Sequence, residues 1–277
     1  MSGNEPKKPA PNSQTGQPTS AAESTRRFSN RVEDYIRYRP HYPPEIISYL
    51  TVECGLTPES VIADVGSGTG IFSELLLANG NRVFGIEPNR EMREAGERLL
   101  QQYEQFTSCA GTAEATTLPD QNVDFVTAGQ AFHWFDRARC RAEFQRVLRP
   151  SGWVVLVWNE RRADSTPFLI EYEQLLRDYA TDYAQVDHRQ IDAAALADFF
   201  GTEPHRNAWA HSQMFDFAGL KGRLLSSSYA PAAGQPRHEE MLIALQELFE
   251  RRQKAGRVIF EYDAIVFCCP RREMKTL

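Results

Sequence analysis

Val61-Ile62-Ala63-Asp64-Val65-Gly66-Ser67-Gly68-Thr69-Gly70 reads as a short apolar strand, an acid near its end, and a turn with glycine at every second residue. Ile71 to Ala78 follows with helical character. The three glycines let the backbone approach a ligand where a Cβ would collide. The helix behind them aims its free N–H groups and positive dipole end at whatever occupies the turn. Strand, glycine turn and helix together form a corner that binds nucleotide-type ligands.

Downstream, Arg82 to Glu87 is the next strand, and it ends in an acid, Glu87-Pro88-Asn89. Glu87 stands about 20 residues past the first glycine, where a second parallel strand offers a carboxylate to a ribose. A carboxylate suits that place because it accepts two hydroxyl hydrogen bonds at once. The spacing predicts a helix over 91–105 with Met92, Ala95, Leu99 and Leu100 inward. Phe106 to Gly111 reads as a third strand, Thr112-Ala113-Glu114 opens a loop, and Val123 to Ala128 reads as a buried fourth strand. Gln130-Ala131-Phe132-His133-Trp134-Phe135-Asp136 then sets three aromatics and a histidine directly after a parallel strand, where α/β ligand sites lie. Asp136 is the expected cap of the next helix, whose inner stripe is Cys140, Phe144, Val147 and Leu148. Trp153 to Trp158 is the fifth strand. Alternation of strand and helix over 60–160 predicts a doubly wound parallel α/β sheet.

Met1 to Thr25 is rich in Pro, Ser, Gln, Asn and Gly, and is expected to be a disordered tail. Phe28 to Pro44 interleaves aromatics with arginines. Those aromatics either cover the sheet edge or form a lid over the binding corner. Pro44 to Leu56 reads as a helix with Gly55 as its C-cap. Beyond residue 160, helices are expected over 167–179, 190–200, 220–227 and 239–254, and strands over 206–217 and 257–268. Residues 26–277 read as one domain, with a lid over 26–56 and an inserted cap over about 160–205.

A formal net charge of -6 argues against a phosphate backbone as the main partner. No run approaches the roughly 20 apolar residues that span a bilayer, and no basic segment with an apolar h-region follows the start. The five cysteines form no C-x-x-C pair and have no histidine at metal spacing. They read as reduced, mostly buried thiols of a cytoplasmic protein with no metal site, vicinal Cys268-Cys269 being buried strand residues.

The spacing of the glycine turn is G-x-G-x-G, whereas the dinucleotide fingerprint places its third glycine one residue later, at Ile71. Asp64 to Gly70, Glu87 and the segment Leu148-Arg149-Pro150-Ser151-Gly152-Trp153 together resemble the class I S-adenosylmethionine-dependent methyltransferases. Ser151 departs from the glycine common in that family's turn. The lid motif Val32-x-x-Tyr35-x-x-Tyr38-Arg39-Pro40-x-Tyr42-Pro43, the aromatic run at 130–135 and Ser226-Ser227-Ser228-Tyr229 resemble the small-molecule type 11 group, which includes trans-aconitate methyltransferase. The resemblance implies a seven-stranded sheet, mostly parallel with the last strand antiparallel. It also implies S-adenosylmethionine as cofactor and methyl transfer to a small molecule, at a carboxylate or hydroxyl oxygen. The chain has no Asn-Pro-Pro-Tyr motif after the fourth strand and no Pro-Cys pair, which argues against a nucleic-acid acceptor.

On that resemblance Gly66, Ser67, Gly68 and Gly70 hold the amino-acid portion and ribose side of the cofactor. Asp64 orients the turn or the cofactor ammonium, and Glu87 takes the ribose hydroxyls. Asn89 and Met92 flank the adenine, Thr112, Ala113 and Glu114 run along its edge, and Gln130 completes the set. His133 is the candidate general base, with a structural hydrogen bond beside Trp134 as its other reading. Tyr35, Tyr38, Trp134 and Trp158 are candidate substrate walls, and Arg39 and Arg161 a candidate clamp for a carboxylate. The rival functions are an RNA or protein methyltransferase on the same fold, a catalytically silent cofactor-binding protein, and a nicotinamide-dependent oxidoreductase.

Overall fold

The computed structural model describes residues 32–181, 183 and 193–274. The expectation for the tail, Met1 to Thr25, lies outside them. Two helices, α1 (Val32–Tyr38) and α2 (Glu45–Cys54), precede the sheet. Gly55 ends α2 in the left-handed conformation at φ 70°, the backbone state that glycine adopts without steric cost. The alternating part follows as β1 (Val61–Val65), α3 (Ile71–Ala78), β2 (Arg82–Ile86), α4 (Arg90–Leu99), β3 (Phe106–Cys109), β4 (Val123–Gly129), α5 (Arg137–Val147) and β5 (Leu148–Arg161). The chain continues with α6 (Pro167–Tyr179), α7 (Ala193–Phe200), β6 (His205–Phe215), α8 (Phe217–Leu225), α9 (His238–Arg252) and β7 (Val258–Pro270).

The seven strands form one sheet in the order β3-β2-β1-β4-β5-β7-β6. β1 pairs in parallel with β2 and β4, β2 with β3, and β4 with β5. β7 runs antiparallel between β5 and β6. The mixed sheet implied by the family resemblance is the sheet observed. The strand order reverses between β1 and β4, and in such sheets ligands bind beyond the carboxyl ends of the strands at that switch.

Apolar side chains cover both faces. One layer holds Ile62, Val83, Phe125 and Val155 under α2 and α3, through Ile46, Leu50, Phe72 and Leu76. The other holds Val126, Val154 and Leu156 under α5 and α7, through Phe144, Val147 and Phe199. Cys140, Phe144, Val147 and Leu148 are all fully buried, as their helical spacing predicts. A third cluster joins α6, α8 and α9 to the far ends of β6 and β7 around Tyr172, Phe260 and Tyr262. At the end away from the switch, Arg149 grips Asp124 at 2.7 Å, and Asp124 accepts the Val61 amide at 2.8 Å. The Leu148–Gly152 segment therefore anchors the starts of β1 and β4.

Three sequence expectations need correction. The helix after β2 stops at Leu99, which is 40% exposed; Gly96 is buried in its place, and Leu100 packs its side chain on Gly70. β5 continues to Arg161, because its register with β7 runs on through Asn159↔Ala264 to Arg161↔Tyr262. The stretch 160–205 divides: α6 belongs to the third cluster, whereas Leu196, Phe199 and Phe200 of α7 pack with α5. Cys268 and Cys269 lie buried in β7, as expected. Among the described residues no helix is long and apolar enough to cross a membrane.

Candidate functional site

The glycine turn is tied to the neighbouring strand before any ligand is considered. The amides of Gly66 and Ser67 both donate to the Ile86 carbonyl at the end of β2, at 2.8 and 3.2 Å. Gly66, Gly68 and Gly70 all have positive φ, of 69°, 57° and 88°. A side chain at any of the three is strained whatever space it finds. Beneath the turn, Asp64 accepts the Ser73 hydroxyl at 2.6 Å and the Thr127 hydroxyl at 2.9 Å. Burial pushes its pKa up to about 6, against these two hydrogen bonds, which lower it.

Glu87 is 8% exposed. One of its carboxylate oxygens accepts the Gly68 amide at 2.9 Å and the other the Asn89 amide at 2.8 Å. Burial raises its pKa from the ordinary value, while those two amides oppose the shift. Asn89 in turn caps α4 by accepting the Met92 amide at 2.9 Å.

Two adjoining cavities open at the switch point. The first is lined by Gly66, Gly68, Glu87, Met92, Ala113 and Phe135, with Asn89, Thr112, Glu114 and Gln130 completing its wall. An acid at one end, a methionine and small residues along the side, and backbone amides at the turn suit a nucleoside: hydroxyls at Glu87 and a flat base against Met92. The second cavity takes Asp64, Ser67, Tyr35, Arg39, His133 and Arg161. Tyr35, Gly66, Gly129, Gln130 and Trp134 border both. One elongated ligand can therefore run from the first into the second past Trp134.

The aromatic run after β4 splits in a way its composition did not foretell. Gln130 adopts φ 56°, a left-handed conformation uncommon for a residue with a Cβ, and the short turn Phe132–Trp134 follows. That turn drives Phe132 into the core, where its ring meets Phe199 at 4.6 Å. His133 and Trp134 are left on the cavity side, their ring centroids 4.8 Å apart. Gln130 is held by its own amide to the Val157 carbonyl and by its side chain to the Asn159 carbonyl, both at 2.9 Å.

Three expected site residues do not border either cavity. Trp158 is 5% exposed and packs among Phe132, Phe199 and Phe267, on the sheet face away from α2 and α3. Strand alternation turns its indole there and its neighbour Asn159 toward the cavity. Tyr38 packs flat on Gly222 of α8, where an added Cβ would come 1.9 Å from its ring. Gly70 meets Leu100: an added Cβ would sit 2.5 Å from that side chain. Its role is to turn the chain into α3.

Sequence reasoning missed Asn159, Arg223, Tyr183 and the pair Ser228-Tyr229 as cavity residues. Asn159 links three elements: its side-chain amide faces the Pro40 and His41 carbonyls at 3.4 Å, and its oxygen meets His211 Nε2 at 2.8 Å. Arg223 lies on the buried stripe of α8 beside Leu220 and Leu224, and an arginine at an apolar-stripe position was the available signal. The expected arginine clamp changes character too. Arg161 is salt-bridged to Glu173 at 2.5 Å and donates to the Tyr183 hydroxyl at 3.2 Å.

Residues 63–156 match a family model described as a methyltransferase domain. Over that segment the chain is similar to methyltransferase domains. An uncharacterized methyltransferase of Schizosaccharomyces pombe is 33% identical over 152 residues, covering 54% of this chain and 59% of the relative. One from Mycobacterium tuberculosis is 40% identical over 134 residues, covering 48% of this chain and 52% of the relative. The matched segment thus spans only about half the length of these relatives. Among solved structures, a candidate type II methyltransferase from Anaeromyxobacter dehalogenans superposes with a TM-score of 0.61 at 22% identity, covering 84% of this chain and 98% of that one. That likeness is one of fold.

Proposed function

We propose that this chain catalyses methyl transfer from S-adenosylmethionine to an oxygen of a small-molecule acceptor. The observation that carries the reading is the pair of joined cavities: one suited to a nucleoside at Glu87 and Met92, the other enclosed by polar side chains around Arg39 and His133. When bound, the cofactor supplies a methyl group on an electrophilic sulfonium, which keeps the carbon–sulfur electron pair as an oxygen lone pair attacks. The chain's own task is to align that oxygen with the methyl–sulfur bond and exclude water.

In this reading Glu87 binds the ribose hydroxyls, and Met92 and Ala113 pack on the adenine. Asp64, with its hydroxyl partners, offers negative charge to the cofactor ammonium through the turn at Gly66 and Ser67. Trp134 and Tyr35 stand where the cavities meet, and their ring faces suit a sulfonium. His133 borders the acceptor cavity and takes the proton when the acceptor is a hydroxyl; a carboxylate acceptor needs no base. α1 and the turn at Pro40 act as a lid over the acceptor side.

The test is a screen with methyl-labelled S-adenosylmethionine against small acids, alcohols, RNA and protein, after S-adenosylhomocysteine binding has been established by calorimetry. Label in a small molecule as a base-labile ester or an ether supports the reading. Label in RNA or protein alone, or binding without turnover on any class, overturns it.

A further inference from the structure

Arg39, just after α1, and Arg223, on α8, both border the acceptor cavity. Arg223 is 7% exposed, and donates from Nε to the Tyr262 hydroxyl at 3.3 Å and from Nη1 to the Ser227 hydroxyl at 3.2 Å. Arg39 donates from Nη2 to the Ser226 carbonyl at 2.9 Å, and its guanidinium lies 4.8 Å from the centre of the Tyr35 ring. Its Nε is buried and has no hydrogen-bond partner. Every one of these partners is neutral. Among the described residues no carboxylate comes within ion-pair distance of either arginine. The anions nearby are engaged elsewhere: Glu173 holds Arg161 and Asp64 holds Ser73 and Thr127.

The two cations also feel one another. Burial, and then the Arg223 charge, lower the Arg39 pKa from its ordinary value. Removing a charge from water is costly unless an opposite charge arrives with it. Two guanidinium groups that border one cavity and lack a protein carboxylate suit an anion carried in by a ligand.

We propose that Arg39 and Arg223 form a subsite for an acid group, carboxylate or phosphate, that is the binding handle of the acceptor and not its methyl-accepting atom. The distinction follows from the chemistry. An acid oxygen that accepts charge-assisted hydrogen bonds from guanidinium has its lone pairs committed and is a poorer nucleophile. The accepting oxygen is then a second group of the same molecule, on the side of His133 and Trp134. This inference rests on the methyltransferase reading of the two cavities.

The experiment uses the full chain saturated with S-adenosylhomocysteine, with glutarate, phenyl phosphate and uncharged glutaramide as probes, followed by thermal melting and calorimetry. Glutarate or phenyl phosphate raises the melting temperature and glutaramide does not; whichever anion binds tighter identifies the acid. In Arg39→Gln and Arg223→Gln the anion affinity falls at least about tenfold while S-adenosylhomocysteine affinity stays within about twofold. Arg223→Lys recovers part of the anion affinity, and with Arg39→Gln it carries the test where Arg223→Gln fails to fold. Equal anion affinity in wild type and variants, or no preference for anion over glutaramide, overturns the subsite. Failure of S-adenosylhomocysteine itself to bind is a separate result, which strikes the cofactor reading.

Discussion

The Gly68 amide donates to the Glu87 carboxylate at 2.9 Å, which locks the turn after β1 to the end of β2. The second Glu87 oxygen is held the same way by the Asn89 amide. Two backbone donors fix the carboxylate plane, and each oxygen keeps acceptor capacity toward the cavity. The acid therefore holds the loop and, on the proposed function, the ligand as well.

Glu87→Ala removes both functions. It weakens S-adenosylhomocysteine binding by about 10- to 100-fold, the value of one or two hydrogen bonds to a charged group, and lowers the melting temperature of the free protein. Glu87→Gln falls between, because an amide offers one acceptor oxygen where the carboxylate offers two. Calorimetry on the three proteins checks the order, and an unchanged affinity in Glu87→Ala places the ribose elsewhere.

On the proposed function, Asp64 is expected to couple cofactor binding to pH. Its pKa is raised by burial to about 6 from an ordinary value of 3.8. In the free protein this group favours the folded state fully below about pH 4, and that contribution is lost as pH rises through 6. A cofactor ammonium needs the ionised form, so S-adenosylhomocysteine affinity rises from pH 5 to pH 7. Asp64→Asn flattens that rise and binds less tightly at pH 7. A wild-type affinity independent of pH over this range shows that Asp64 does not face the ammonium.

Gly222 and Tyr38 set the position of the lid. An added Cβ at 222 would lie 1.9 Å from the Tyr38 ring, so Gly222→Ala forces the ring, and α1 with it, away from α8. The fold survives, since alanine in a helix regains about 1 kcal/mol of propensity over glycine. Acceptor KM rises several-fold, and proteolysis within 32–40 quickens. Adding Tyr38→Ala relieves the collision, so the double variant resists proteolysis better than Gly222→Ala alone.

Trp158 belongs to the core. Its indole nitrogen is buried without a hydrogen-bond partner, so Trp158→Phe discards an unsatisfied donor while it loses some packing volume. The two effects oppose, and the melting temperature changes by a few degrees at most while S-adenosylhomocysteine affinity stays within about twofold. A large loss of affinity returns Trp158 to the cavity wall.

The alternating half of the fold is legible in the sequence because local signals agree there. The bounds of α3 and α6 follow from a glycine before one and Thr166-Pro167 before the other. The lining of the first cavity is legible for the same reason: Glu87, Asn89 and Met92 sit at fixed distances from a turn that only glycine can make. The second cavity draws on α1, β5, α8 and the segment around Tyr229, which meet only through tertiary packing. No spacing announces that Arg223 faces the cavity or that Glu173 neutralises Arg161. Trp158 was misplaced because an aromatic at a strand end looks the same in sequence whichever face it takes, and the face depends on register.

The central claim is that the corner at Asp64–Gly70 holds S-adenosylmethionine. Calorimetric titration of S-adenosylhomocysteine into the 277-residue chain, beside NAD and NADP, tests it most directly. One-to-one binding of S-adenosylhomocysteine that is weakened in Glu87→Ala, with no heat from either dinucleotide, is the predicted result. Saturable binding of NAD or NADP, with none of S-adenosylhomocysteine, would contradict it.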